Sequence, residues 1–194
     1  MTFLKKSWPL LILLLLLSAC GRKEIPNAKN WPVEEFSYTN QNGEKVSLED
    51  LKGKVWVADF VFTNCKTICL PMTSNMVKLQ NALKDEGIKD VELVSFSIDP
   101  TVDSPDVLTE YGKRFHADFS NWHFLTGYSQ EEIESFAKES FKTLVKKPEG
   151  EDQVIHGTDF FLVDQEGKII QNYNGAKDFP LEEIIKDIKI LQND

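Results

Sequence analysis

The sequence contains little positive charge, little cysteine and little histidine, and each shortage narrows the possible functions. Its 22 lysine and arginine residues are outnumbered by 31 acidic residues, which gives a net charge of −9. This balance argues against nucleic acid and anionic lipid surfaces as partners. With 3 cysteines and 3 histidines, any thiol or metal chemistry depends on very few positions. Without internal repeats or low-complexity segments, the length suits one domain.

The sequence also lacks an apolar run long enough for a transmembrane helix, which limits how the N-terminal segment can be interpreted. The run from Trp8 to Leu17 is shorter than the ~20 residues that a transmembrane helix needs. A basic start, Lys5-Lys6, and the ending Leu17-Ser18-Ala19-Cys20 resemble a bacterial lipoprotein signal. An uncleaved signal anchor or plain secretion are the alternatives, and both also place the domain outside the cytoplasm. We predict a signal peptide at residues 1–19, a lipid anchor on Cys20 with a flexible tether at residues 20–32, and a domain at residues 33–194.

The rest of the chain alternates predicted strands and helices. Phe36 and Tyr38, before the turn Asn42-Gly43, predict an N-terminal β-hairpin. The runs KVWVADFVF and VELVSFSID are typical of strands buried on both faces. Amphipathic helices follow them, and a second antiparallel hairpin, VIHGTDFFLVD with KIIQNYNG, precedes the last helix. This order predicts an α/β domain with a mixed central sheet and flanking helices.

Cys65 and Cys69 follow the first buried strand and open a helix, as in the thioredoxin-like arrangement. They could form a structural disulfide, a redox pair or part of a metal site. A helix N-terminus stabilises thiolates, so we expect both thiols to ionise easily. Residues four apart on a helix have Cβ atoms about 5–6 Å apart, wider than the roughly 3.5–4.5 Å of a disulfide. The spacing favours a shared metal ion, although a non-helical loop could still close the bridge.

His156 is the third candidate ligand. Thioredoxin-like oxidoreductases place a proline opposite their cysteines, whereas the matching loop here, residues 154–159, has no proline and contains this histidine. Two thiolates and an imidazole favour copper or zinc. Structural zinc would need a fourth protein ligand, while three such ligands suit Cu(I) and the imidazole also accepts Cu(II). Met72 is a possible additional soft ligand, but its helical spacing is typical of a core residue.

The motifs together resemble the Sco/SenC family, copper-binding assembly factors for cytochrome c oxidase, over about residues 36–191. The resemblance implies a peroxiredoxin-like variant of the thioredoxin fold, with copper bound by Cys65, Cys69 and His156. Family members often have proline beside the first cysteine, where this chain has Lys66. The motifs are residues 60–69 with the CxxxC pair, Ser97-Ile98-Asp99-Pro100 followed by Asp103-Ser104-Pro105, and His156 ahead of Phe161-Leu162-Val163-Asp164-x-x-Gly167.

We therefore expect a metallochaperone rather than an enzyme, which binds one copper ion, Cu(I) or Cu(II), for the dinuclear copper site of oxidase subunit II. Its expected partners are subunit II, the membrane through the lipid and a thiol reductant, at the extracytoplasmic face of a bacterial membrane. The alternative is a thiol–disulfide reductase with Cys65 and Cys69 as its redox-active dithiol; a sensor is a third possibility.

Asp99 and Asp103 are interpreted as a strand-end turn and a cap, or else as supports near the thiols.

Overall fold

The computed structural model describes residues 25–193, so the predicted signal peptide and Cys20 lie outside the described residues. None of the helices in this range combines the length and apolar character needed to cross a bilayer. The strands are β1 (Trp31–Pro32), β2 (Ser37–Thr39), β3 (Lys45–Ser47), β4 (Val55–Val61), β5 (Val91–Ser97), β6 (Trp122–Leu125), β7 (Val145–Lys146), β8 (Ile155–His156), β9 (Asp159–Val163) and β10 (Lys168–Asn174). The helices are α1 (Leu48–Leu51), α2 (Cys69–Asp85), α3 (Pro105–Arg114), α4 (Gln130–Phe141) and α5 (Leu181–Leu191).

A six-stranded mixed sheet in the order β1-β10-β9-β4-β5-β6 forms the centre of the domain. β4, β5 and β6 run parallel, whereas β9 pairs antiparallel with β4, and β10 with β9. All seven residues of β4 and all seven of β5 are buried, as their continuous apolar runs predict. The carboxyl ends of β4 and β5 therefore lie side by side at one edge of the sheet, which we call the carboxyl edge.

Two apolar cores cover the two faces of the sheet. One contains α4, α1 and the hairpin β2–β3, with aromatic rings such as Phe36, Phe96 and Phe141 packed together. The other contains α2, α3 and α5, and in it Met72 is fully buried among apolar neighbours. The predicted α/β class, with a mixed sheet, flanking helices and an N-terminal hairpin, is confirmed.

Local signals in the sequence account for several boundaries. Gly43 has a φ of 79° in the β2–β3 turn, a conformation that favours glycine. The side chain of Ser104 accepts a hydrogen bond from the backbone N–H of Val107 and caps α3, and that of Ser129 caps α4 in the same way. Of the predicted hairpin strand VIHGTDFFLVD, only Asp159–Val163 pairs with β10. Ile155–His156 is instead the separate short strand β8, which pairs with β7, and this pairing was not predicted.

The segment before the predicted domain boundary differs from the flexible tether that we expected. Ile25 is buried, the N–H of Lys29 donates to the carbonyl of Ile170, and β1 extends the sheet by pairing with β10. Residues 25–32 thus pack against the domain, because β10, which without β1 would be the edge strand, offers them free backbone groups and an apolar surface. The tether prediction applies to residues 20–24, which lie outside the described range.

Candidate metal centre

The cysteine loop, residues 62–68, joins the carboxyl end of β4 to the start of α2. Cys65 lies in the loop before the helix, whereas Cys69 is the first helical residue. No side chain caps α2 at its N-cap position; instead the backbone N–H of Cys69 points at the sulfur of Cys65, 3.4 Å away. The Cys65 sulfur therefore occupies the place where a helix N-terminus best stabilises a negative charge.

The two thiols differ in acidity. Burial would raise the pKa of the Cys65 thiol, yet hydrogen bonds from Cys69 and Thr67 lower it below its ordinary value. Burial, together with the hydrogen bond to Cys65, raises the pKa of the Cys69 thiol well above its ordinary value. The expectation that both thiols ionise easily is thus wrong for Cys69, because burial outweighs the backbone hydrogen bond from Phe62 that would lower the pKa of its thiol. Both cysteines are free and buried.

His156 reaches the cysteines from β8, where it pairs with Val145 of β7. Its Nδ1 lies 2.7 Å from the carbonyl oxygen of Gly157, and because a carbonyl only accepts hydrogen bonds, Nδ1 carries the proton. The unprotonated Nε2 then lies 3.5 Å from the sulfur of Cys69. Burial lowers the pKa of the imidazole, partly offset by the Gly157 carbonyl, so the ring is neutral and its free lone pair faces the sulfur.

Two acidic residues in the turn after β5 hold the surrounding segments in place. The buried carboxylate of Asp103 accepts hydrogen bonds from the hydroxyl of Thr63 at 2.5 Å, from its backbone N–H at 3.2 Å and from the hydroxyl of Ser97 at 2.6 Å. Of the two interpretations offered for Asp103, the structure favours a support near the thiols, because its carboxylate anchors the cysteine loop and does not cap a helix. The capping position belongs to Ser104.

Asp99 ties the histidine segment to the same turn. Its backbone carbonyl accepts the N–H groups of Val102 and Asp103, as the predicted strand-end turn requires. Its carboxylate, 2% exposed, pairs with the ammonium of Lys147 at 2.7 Å. A further contact, from the Gln153 amide to the carbonyl of Asn64 at 3.2 Å, joins the segment before His156 directly to the cysteine loop.

The ligand atoms of Cys65, Cys69 and His156 all lie within 4.8 Å of one another, and within the described residues this is the one group of metal-binding side chains of its kind. Metal–sulfur bonds are about 2.3 Å and metal–nitrogen bonds about 2.0–2.1 Å, so three ligands around one ion stand roughly 4 Å apart. The site therefore fits a metal ion with little movement. Two sulfurs and an imidazole nitrogen select soft or borderline ions.

The remaining candidates lie elsewhere. Met72 is part of the core beneath α2. His116 follows the end of α3 in a left-handed conformation, with a φ of 60°. His123 lies on β6, where its Nε2 is 3.3 Å from the carboxylate of Glu92. Neither histidine belongs to the metal-binding group.

Comparison with known proteins gives a consistent result. The sequence model of the SCO1/SenC family matches residues 26–193. The SCO1 protein homolog of Bacillus subtilis (strain 168) is 53% identical over 178 residues, which cover 92% of this chain and 92% of that protein.

Solved structures extend the similarity to the fold. A SCO1/SenC family lipoprotein from Bacillus anthracis str. Ames has a TM-score of 0.84 and 51% identity, covering 87% of this chain and 99% of its own. BsSco is described as a member of the Sco family of cytochrome c oxidase assembly proteins with a disulfide switch. It has a TM-score of 0.81 and 53% identity, and the match covers 87% of this chain and 98% of BsSco. Arabidopsis thaliana ScoI with copper bound has a TM-score of 0.69 and 28% identity, and the match covers 83% of this chain and 98% of ScoI.

Proposed function

The chain belongs to the SCO1/SenC family, and from that premise we propose that it is an extracytoplasmic copper-binding protein. In this proposal it helps to assemble the dinuclear copper site of subunit II of cytochrome c oxidase. The observation that carries the proposal is the convergence of two thiols and one imidazole lone pair within 4.8 Å at the carboxyl edge of the sheet.

The donor set supports copper as the ion. Thiolate sulfur favours Cu(I), and imidazole nitrogen also accepts Cu(II). Both thiols must lose their protons to bind an ion, whereas His156 already presents a free Nε2 because Nδ1 donates to Gly157. A relative from Arabidopsis thaliana has been solved with copper bound, which supports copper as the ion, and we assign one ion per chain to Cys65, Cys69 and His156.

Delivery follows from ligand exchange. A thiolate of the acceptor forms a bond to copper as one bond from copper to a thiolate of this protein breaks, so the oxidation state of copper does not change. The released Cys69 thiolate then takes up a proton, because burial raises its pKa. Each exchange step conserves the number of copper–sulfur bonds, so copper never has to leave its sulfur ligands for water.

A thiol–disulfide reductase is the second candidate, and the unequal thiols favour it. A nucleophile of lowered pKa, Cys65, lies beside a buried partner, Cys69, as thiol–disulfide exchange requires. Such an enzyme would reduce the copper-site cysteines of the oxidase without binding copper itself. The role of His156 distinguishes the two functions.

We expect His156→Ala to abolish copper transfer to the copper-free, reduced soluble domain of subunit II, while the variant still reduces a disulfide in the oxidised domain. The reason is that the imidazole is a copper ligand but takes no part in sulfur exchange. Transfer is followed by measuring the copper content of the separated acceptor domain, and reduction by thiol counting. Failure of the wild-type protein to transfer copper, with full reductase activity, would establish the second candidate instead.

We further propose that Cys20 carries a lipid that holds the domain at the extracytoplasmic face of the membrane, as the lipoprotein relative from Bacillus anthracis suggests. Cys20→Ser should move the protein from the membrane fraction to the soluble fraction of fractionated cells. Cys65→Ser is the matched control and should stay with the membrane. A Cys20→Ser protein that remains in the membrane fraction would instead indicate an uncleaved signal anchor.

A further inference from the structure

The exposed apolar side chains of the described residues are not spread over the surface. The five large ones all belong to segments at or next to the carboxyl edge of the sheet, where the metal-binding group lies. Scattered single exposures are ordinary in proteins, but a concentration at one edge marks an interaction surface. They are Leu70 at 46% exposed, Val102 at 47%, Val107 at 38%, Leu144 at 62% and Ile155 at 55%.

Three of the five are neighbours of the ligands along the chain or through a backbone hydrogen bond, and we call them the apolar rim: Leu70, Leu144 and Ile155. Leu70 follows Cys69, and Ile155 precedes His156. The carbonyl of Leu144 accepts the N–H of Gly157 at 3.2 Å, next to His156. The backbones of Leu70 and Ile155 are thus one residue from a ligand, and that of Leu144 is one hydrogen bond from Gly157, the residue after His156.

The burial of the ligands indicates what kind of binding partner can reach a bound ion. Cys69 is fully buried and Cys65 is 8% exposed, so another ligand reaches a bound ion only through direct contact with the surrounding surface. Bonds of about 2.3 Å to sulfur leave no room for a hydration layer between donor and acceptor. An acceptor protein must therefore cover the rim during ligand exchange.

A groove beside the rim offers space for such a partner. It has a volume of about 840 Å³ and lies between α4 and β7, and its mostly charged lining includes Glu134, Lys138 and Lys146 beside Leu144 and Val145. Because Leu144 belongs to both, the groove continues the rim away from His156. The exposed Lys66, between the two cysteines, adds a positive charge that attracts approaching thiolates.

We propose that the apolar rim of Leu70, Leu144 and Ile155 is the docking surface for the copper acceptor, a protein domain that presents thiolates within an apolar surface. This inference rests on the proposed function and identifies the surface through which it operates. Desolvated apolar contacts around the ligands bring the acceptor's thiolates into reach, and they exclude water from the exchange.

The test compares copper transfer from the wild-type protein and from the triple variant Leu70→Ser, Leu144→Ser, Ile155→Ser. The acceptors are the copper-free soluble domain of subunit II and, separately, a small thiol chelator. The second-order rate constant of transfer to the domain should fall at least tenfold, because truncating central apolar contacts weakens docking, while capture by the chelator stays unchanged. The matched control Leu70→Met, Leu144→Met, Ile155→Val keeps the apolar surface and should transfer at the wild-type rate. Thermal unfolding of all three proteins checks that they are equally folded.

The outcomes distinguish a failure of the docking surface from a failure of the proposed copper-transfer function. Equal rates to the domain from the wild-type and serine proteins would overturn the rim while leaving the proposed function intact. No transfer from the wild-type protein to the domain, with normal capture by the chelator, would overturn both. If sedimentation shows that the wild-type protein dimerises and the serine variant does not, the rim is an interface between copies of this chain and the acceptor proposal is wrong.

Discussion

Replacing Cys69 by serine is expected to lower the affinity for Cu(I) at least ~10³-fold. Loss of a contact that merely supports a ligand costs roughly 10–100-fold in affinity, and removal of a thiolate from a soft three-ligand site costs more. Serine keeps the size of the side chain and does not ionise at neutral pH. A competition titration against a chelator of known affinity measures the effect.

Met72→Leu is the matched control for that titration. Met72 lies one turn after Cys69 on α2 and is the soft side chain that the sequence offers as a further ligand. Its burial in the apolar core predicts unchanged affinity, and exchange of methionine for leucine conserves volume. Wild-type affinity in Cys69→Ser, or a large loss in Met72→Leu, would contradict the assignment of ligands.

Asp59 gives the largest expected effect on stability. It lies within β4 and is fully buried, with one carboxylate oxygen accepting the hydroxyl of Ser95 at 2.6 Å. The other oxygen has no partner among the described residues. Burial raises the pKa of this carboxyl group from 3.8 to about 7. The folded protein therefore keeps a neutral carboxylic acid beneath the sheet over much of the acidic range.

The sign of the pH dependence follows from this shift. Between pH 3.8 and pH 7 the unfolded chain has already lost the Asp59 proton while the folded protein retains it, so folding stability decreases as the pH rises through this window. At about 1.4 kcal/mol per pKa unit, the contribution of Asp59 decreases by about 3 kcal/mol between pH 5 and pH 8.

Asp59→Asn should remove that dependence, because the amide does not titrate. Urea unfolding of the copper-free wild-type and variant proteins at pH 5 and pH 8 measures it. The free energy of unfolding of the variant, relative to the wild type, should rise by about 3 kcal/mol from pH 5 to pH 8. The other titrating groups are common to both proteins, and the two that the Asp59 charge influences, Cys69 and Tyr111, have raised pKa values and do not ionise between pH 5 and pH 8. A difference that does not change with pH would show that Asp59 is ionised in the folded protein.

Much of the fold could be predicted because its central elements carry strong local patterns. The apolar runs of β4 and β5 specified buried strands, and Ser104 specified the start of α3. The strands β7 and β8 could not be predicted, since each has two residues and no periodicity. Their pairing depends on the tertiary contacts of the segment that Lys147 and Gln153 hold in place.

The site was predictable in its members but not in its electrostatics. Cysteine spacing and the position of His156 in the fold register were enough to bring the three residues together. The unequal acidity of Cys65 and Cys69 depends on which sulfur receives backbone donors, and only the folded loop decides that. The partner of Asp59 was similarly hidden, and the sequence left two interpretations open for Asp103, because a carboxylate in a strand or turn acquires its partners only after distant segments pack together.

X-ray absorption spectroscopy of the copper-loaded protein tests the central claim most directly, since it counts the atoms bound to copper. The geometry of Cys65, Cys69 and His156 predicts two sulfur ligands at about 2.3 Å and one imidazole nitrogen at about 2.0 Å, with the nitrogen signal lost in His156→Ala. A copper ion surrounded only by nitrogen and oxygen, or a spectrum that His156→Ala leaves unchanged, would contradict it.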